Sequence, residues 1–433
     1  MGEIETKRHW RWIGGGLGCL AAMGLLGLGF TKAESKELQE QIMLAKRAGV
    51  PILPQDLGQT VRDSDNAAPY FVQAIELSNQ SLKSQTEQFL NSIKNETDAT
   101  YTGPAEKGYP YLPALQPIVQ QLRQAAQKPQ LDFHRDWNLG PKLKLSEEFD
   151  LFRLSKLLLV DADHRLNVGD TDGAWSELND AAKVAGLSST EPTALSASAG
   201  SMQQVSVEQE ALRFLNKLGP RADSEQRIAE VVASLGPVPS IKHALAGEIV
   251  LEQAIIGHAQ ETFAKSINPA NVPGIVKLAH FAAVRDAMQA ANLQYWRELY
   301  GRIPNDPTDA MSASDALRQG DATIRHTNDW RLGFTREATP SFLMVAEAVG
   351  RQVAERRALV ALATYMTRES KGTITDWSLG RPTDLVDPFS GGPLKVIQKP
   401  HGGIIVYSVG VNGIDDGGSP TDDIVAAYPI EKG

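Results

Sequence analysis

From about Lys36 to Ser370 apolar residues recur three and four positions apart, and Pro, Gly and Asp break the pattern at intervals. That spacing places one apolar stripe on each of a series of amphipathic helices. The expected helical segments are Ala67–Ile93, Glu147–Leu187 as a pair, Glu191–Leu218, Ser224–Leu235, Ile241–Ser266, Val272–Tyr300 and Pro340–Glu369. Between them, Thr102–Pro117 holds four prolines and two tyrosines, too many breaks for a helix over most of its length. It is expected to lie over the bundle and pin it through Tyr109 and Tyr111. Gly301–Trp330 is polar and reads as irregular. After Glu369 the period changes from 3.6 to 2, and Leu394–Gln398, Ile404–Val409 and Ile424–Tyr428 read as strands, the first two joined by a loop at Lys399–Gly403. The expected fold is therefore mainly α, with a helical-hairpin body over 34–375 and a small antiparallel β-module over 376–433.

Within the body, Glu147–Leu187 is the clearest helical pair. Phe149, Phe152, Leu154, Leu157, Leu158 and Ala162 lead into the turn Gly169-Asp170-Thr171-Asp172-Gly173, followed by Ala174, Leu178, Ala181, Ala182 and Ala185. Small residues on the second helix allow close helix packing. The stretch resembles a tetratricopeptide-type hairpin, which implies a surface for holding partners; further copies at the repeat period are not found, so the likeness is local.

The N-terminus departs from this pattern. Lys7, Arg8 and Arg11 precede an uncharged run from Trp12 to Phe30, long enough at about 1.5 Å per residue to cross a hydrocarbon core of about 30 Å. Residues 1–33 are expected to form a cytoplasmic tip and a transmembrane signal-anchor. Basic residues on the N-terminal side keep that side in the cytoplasm. The expected location is the bacterial inner membrane, single-pass through residues 12–30, with the remainder in the periplasm. A cleaved signal peptide is the competing reading, because Thr31-Lys32-Ala33 offers a small-residue cleavage site. A net charge of −9 and a pI near 5.5, without a basic stripe, exclude a general nucleic-acid surface. The single cysteine, Cys19, lies in the apolar run, so the rest of the chain has no thiol for a disulfide or a nucleophile.

Carboxylates and glycines concentrate near the C-terminus in YSVGVNGIDDGGSPTDDIV, Tyr407 to Val425. Hard calcium ions take six to eight oxygens, and glycine lets a backbone curl so that several can converge. Asn412, Asp415, Asp416, Asp422 and Asp423, with Gly413, Gly417 and Gly418, supply both. A solvated acidic turn, in which Asp and Asn side chains cap backbone N–H groups, fits the same residues. Asp387-Pro388-Phe389, Gly392-Pro393, Tyr407-Ser408-Val409-Gly410, Asn412-Gly413, Gly417-Gly418 and Asp422-Asp423-Ile424 together resemble the C-terminal β-region of the major pseudopilin of type II secretion systems. The resemblance implies a structural calcium site in this loop. It covers about a tenth of the chain, and the pseudopilin's leader and short length are missing, so a filament subunit is not implied. The body is also similar to large exported bacterial proteins of uncharacterised role.

Other candidate chemistry is sparse. Asp161 and His164 share a helix face, as do His258 and Glu261, and Glu248 with Glu252. A bundle di-metal site would need Glu-x-x-His on two helices, whereas the order here is Asp-x-x-His and His-x-x-Glu. Phosphate-loop, nucleophile-elbow, HExxH and dinucleotide signatures are all missing. The expectation is a membrane-anchored extracytoplasmic interaction or scaffold protein, with a protein partner on the helical body. An exported hydrolase or metal-dependent enzyme using Asp161, His164, Glu248, Glu252 and His258 is the alternative.

Overall fold

The structure is a computed structural model that describes residues 36–58, 61–80, 86–89, 105–258, 282–338, 342–372, 385–399 and 403–429. Helices dominate, and a three-stranded antiparallel sheet lies near the C-terminus. In chain order the helices are α1 over 36–47, α2 Ala68–Ser78, α3 Leu112–Ala126, α4 Ser146–Asn167, α5 Thr171–Ser188, α6 Ala194–Leu218, α7 Ser224–Leu235, α8 Ile241–Gly257, α9 Ala282–Arg302, α10 Ala310–His326, α11 Gly333–Ala338 and α12 Phe342–Ser370. Among the described residues no helix is long and apolar enough to cross a membrane; the expected span Trp12–Phe30 lies outside them.

Local sequence explains most helix starts. Asp170, Thr193, Ser240 and Asp309 each accept a hydrogen bond from the backbone N–H three residues on, satisfying a donor that the first helical turn leaves orphaned. The α4–α5 pair packs closely along its length, joined at Val168-Gly169-Asp170. Three expectations fail. Ala67–Ile93 is not one continuous helix, since α2 ends at Ser78 and the chain turns at Asn79 and Gln80. The described part of Thr102–Pro117, from Ala105 on, does become helical: Ala105–Tyr111 is a 3-10 turn, and α3 starts at Leu112 with Pro113 in its first turn, where a missing N–H costs nothing. Leu115, Ile118, Val119 and Leu122 then bury one face, which outweighs the hydrogen bond lost at Pro117. Gly301–Trp330 is not irregular throughout either, since α10 occupies Ala310–His326. Its buried stripe is Ala310, Ala313, Ser314, Ala316, Leu317, Gly320 and Ile324, mostly small residues that keep the helical period while leaving the segment polar on average, which is why it read as irregular.

Among the described residues two large hydrophobic clusters form most of the core, and a third, small one joins Ile256, Met288 and Phe334. Of the large ones, one joins α2 through α7, the C-terminal half of α12 and the sheet; the other joins Ala45, Val50 and Ile52 with α8, α9, α10 and the N-terminal end of α12. At 29 residues, α12 is about 43 Å long at 1.5 Å per residue and lies in both. In the sheet, β1 Lys395–Gln398 pairs with β2 Ile404–Ser408, which pairs with β3 Ile424–Tyr428. Leu394, Ile404, Val406 and Ala426 bury against α12 rather than forming a separate core.

Candidate functional site: an acidic loop and a helix-end groove

Three regions carry the chemically capable side chains, and the acidic loop is the most concentrated. It leaves β2 at Val409 and returns at β3, and its shape is set by glycine. Gly410 stands at φ +68, and a Cβ there would lie 2.3 Å from the Asp422 carbonyl oxygen, so only glycine lets the two ends of the loop close. Beneath this closure sits Asp387, fully buried. Its Oδ1 accepts from Phe389 N at 2.9 Å and Ser408 Oγ at 2.7 Å, and its Oδ2 accepts from Ser390 Oγ and Val409 N, both at 3.0 Å. Asp387 therefore ties the entry turn to the end of β2. Its sequence signal was an Asp-Pro pair followed by serine; its partners at positions 408 and 409 were invisible.

The five predicted ligands fall into four groups. Asp423 is buried, and its Oδ2 accepts from Gly418 N at 2.8 Å and Ser419 N at 3.0 Å, while Oδ1 is buried with no hydrogen-bond partner. Asp415 accepts from the Tyr407 hydroxyl at 2.9 Å and from Gly417 N at 3.2 Å, with Lys395 Nζ 3.6 Å away. The Tyr407 hydrogen bond, followed by Gly417 N, holds the Asp415 carboxyl below the usual range. Burial, reinforced by Asp415, pushes the Tyr407 phenol up to about 12. Asn412 donates to Asp416 at 3.1 Å and caps Ile414 N at 2.9 Å. Asp422 is exposed. Among the described residues, no three His, Cys, Asp or Glu side chains are grouped as a metal-holding set. In this arrangement the loop has the hydrogen bonds of an acidic turn plus one feature such a turn does not need, the buried unpartnered oxygen of Asp423.

The residues of the alternative enzyme reading are engaged elsewhere. Asp161 Oδ2 accepts from Arg123 Nη2 at 2.7 Å and Arg165 Nε at 2.9 Å. Arg123 also pairs Glu177, 2.9 Å from its Nε, so α3, α4 and α5 are joined by one ion network. His164 packs edge-on against Tyr109, whose hydroxyl donates to Asp163 at 2.6 Å. Glu248 accepts from Ala194 N at 3.0 Å, capping the start of α6. Glu252 accepts from Trp296 Nε1 at 2.9 Å and Asn292 Nδ2 at 2.5 Å. His258 Nδ1 lies 2.8 Å from the Ala254 carbonyl oxygen, and Glu261 lies outside the described residues. Each of the described ones takes part in a structural contact, and among the described residues they do not converge on one site.

A third region has no counterpart in the sequence reading. The segment Ser189–Thr193 forms a ridge between two open clefts. It packs tightly on α8: a Cβ on Gly247 would lie 1.5 Å from the Pro192 carbonyl oxygen, so helix and ridge meet at a distance only glycine permits. Arg135, almost fully buried, reaches Glu191 at 2.9 Å and Glu148 at 3.3 Å. Burial, opposed by Arg135 and reinforced by Glu191, raises the Glu148 carboxyl to about 7. His243 of α8 crosses the ridge, its Nε2 3.0 Å from the Thr190 carbonyl oxygen, and lines both clefts. One cleft, about 700 Å3, is bordered by Trp137, Asp132 and His134. His134 stands at φ +51, an unusual conformation for a side-chain-bearing residue, with Nδ1 3.0 Å from Asp132 Oδ2. The other cleft, about 790 Å3, is walled by the C-terminal ends of α3, α5 and α7 and the start of α8.

No family model, no curated protein and no solved structure matches the chain.

Proposed function

We propose that the chain is a membrane-anchored extracytoplasmic interaction or scaffold protein whose C-terminal β-module is stabilised by calcium. The observation that carries the calcium reading is Asp423 Oδ1, a carboxylate oxygen buried without a partner in a loop turned by glycines at positive φ. Leaving such an atom unsatisfied costs about 1–3 kcal/mol, more when charged, and a hard cation would offset that cost. Asp423 and Asp422, with Asn412 and help from Asp415 and Asp416, would hold the ion, in keeping with the resemblance of this region to the pseudopilin loop. The metal neutralises repulsion among the carboxylates; it has no catalytic part in this reading.

The full chain is the right material for the test, because the strands bury against α12. Thermal unfolding in calcium against chelator should show stabilisation of about 2.7 kcal/mol when calcium is a hundredfold above its dissociation constant. Asp423→Asn, which keeps an acceptor for Gly418 N and Ser419 N, should remove the difference, and Asp422→Asn should reduce it. Identical melting of the unsubstituted chain in both solutions would leave the acidic turn as the correct reading.

Anchoring rests on the charge asymmetry around Trp12–Phe30. A reporter fused after Gly433 should be active only outside the cytoplasm, and cytoplasmic activity would reverse the orientation. The scaffold reading is supported by a body in which the described polar residues of the enzyme alternative serve structural contacts, while open clefts border the closely packed ridge.

A further inference from the structure

We infer that Asn412 is a site of spontaneous covalent modification, at which the side-chain amide is lost and the acidic loop gains a further carboxylate or an isoaspartyl link. The inference stands on the sequence and geometry of the loop and does not depend on the calcium reading.

The pairing of residues is the first ground. Asn412 is the one asparagine of the chain that precedes a glycine. A Cβ on the following residue crowds its backbone nitrogen, whereas glycine leaves that nitrogen open to approach and gives the backbone the freedom to bring it to the side chain. Asn412 and Gly413 are both exposed, Gly413 stands at φ +69, and a Cβ built on it would meet no atom within 4 Å. A ring formed across this pair therefore has no neighbour to displace.

The hydrogen bonds of the side chain are the second ground. Asn412 Oδ1 accepts from Ile414 N at 2.9 Å, which makes an Asx turn. The ring closed by that bond contains both the amide carbon, Cγ, and Gly413 N, so the side chain is already folded back towards the nitrogen that attacks it. Attack puts negative charge on Oδ1, where the Ile414 N–H donates. Asp416 Oδ2 accepts from Asn412 Nδ2 at 3.1 Å and stabilises positive charge on that nitrogen as it leaves. Gly413 N donates to the Gly410 carbonyl oxygen at 3.2 Å; this exposed turn bond opens before attack, at the low cost of local opening in a loop.

In the reaction Gly413 N bonds to Asn412 Cγ, the Cγ–Nδ2 bond breaks with its electron pair going to nitrogen, and the proton of Gly413 N–H departs with the leaving group as ammonia. Water then opens the cyclic imide. Opening at Cγ gives aspartate, which sets a second carboxylate against Asp416 in place of an amide donor. Opening at the backbone carbonyl gives the isoaspartyl link, which reroutes the main chain through the former side chain and removes the cap on Ile414 N.

Peptide mapping of the full chain by mass spectrometry after prolonged incubation at mildly alkaline pH tests the inference, with enzymatic methylation of isoaspartyl groups as a second readout. A synthetic peptide of the sequence 409–418 serves as the clock. The peptide bearing Asn412 should gain the mass difference between OH and NH2 and accept methyl groups. The exposed residues Asn138, Asn305 and Asn328, which precede Leu139, Asp306 and Asp329, should stay unchanged over the same period. Isomerisation at Asp416-Gly417 leaves the mass unaltered and is told apart by that. Gly413→Ala should slow the mass gain several-fold, and Asn412→Gln, whose longer side chain closes a ring less readily, should suppress it. An unaltered Asn412 in the time the synthetic peptide converts completely, equal conversion at the three comparison asparagines, or a gain that persists in Asn412→Gln would each overturn the inference.

Discussion

The helical body and the C-terminal loop both use many carboxylates, and they use them in opposite ways. In the body, acidic side chains are buried and matched to arginines from distant parts of the chain: Asp161 and Glu177 with Arg123, Glu148 and Glu191 with Arg135, Glu208 with Arg356. In the loop, Asp415, Asp416 and Asp422 are exposed and their hydrogen bonds stay within the module, while Asp423 is buried with one oxygen unmatched. Most of the body's charges are matched within it and define how helices meet, although Glu208 Oε2 and Glu369 Oε2 are also buried without a hydrogen-bond partner. The loop's charges are in surplus, and a surplus is what a ligand can use.

The sharpest way to break this comparison is to remove one arginine of the body. Arg123→Met deletes the shared partner of Asp161 and Glu177, whose carboxylates then stay buried beside each other with only Arg165 near. A loss of about 3–5 kcal/mol in unfolding free energy is expected, because an uncompensated buried charge remains. A loss below about 1 kcal/mol in a denaturant titration would show that the network is solvated and the body's charges are no different from the loop's.

Next in size is pH. Burial raises Glu355 to about 7, with Arg351 only 3.7 Å away in opposition, and raises Glu210 to about 8. A carboxyl whose folded value exceeds its unfolded one binds its proton more tightly in the native state. Stability is therefore greatest below the unfolded value near 4.5 and falls as pH rises from there to about 7 or 8, by about 1.4 kcal/mol for each pH step of one across that window and for each such carboxyl. Glu355→Gln should remove part of that slope and stabilise the protein at pH 8. A flat profile from pH 5 to 8 would contradict the assignment. The smallest effect belongs to the loop: Asp416→Ala in chelator should change stability by no more than about 0.5 kcal/mol, as for a surface site. A larger loss would mean that the Asn412–Asp416 contact bears structure and not surplus charge.

These contrasts also explain what could be read from the chain in advance. Strands and helix starts are local: alternation marked β1 to β3 to within a residue or two, and the capping oxygens of Asp170 and Ser240 sit three residues from their partners. Tertiary charge matching is not local. Arg123 lies 38 positions from Asp161, Arg135 lies 56 from Glu191, and Arg356 lies 148 from Glu208. Nothing at those spacings distinguishes a buried arginine from an exposed one. Asp161 and Glu252 were visible as acidic residues on helices but not as partners already taken. The ridge at Ser189–Thr193 was hidden because its close packing depends on Gly247, an unremarked glycine inside a helix. The acidic loop was legible because its glycines and aspartates are contiguous.

The position of α12 in both large hydrophobic clusters bears on what holds the chain together when it is cut. Strands β2 and β3 lie against the same helix that packs on α6 and α7. A protease cut between Ser370 and Leu385 would sever the backbone without separating the surfaces. The short C-terminal piece would stay seated on α12, the nicked protein would elute as one species on a sizing column, and the two fragments would part only in denaturant, behaving as a self-complementing split protein.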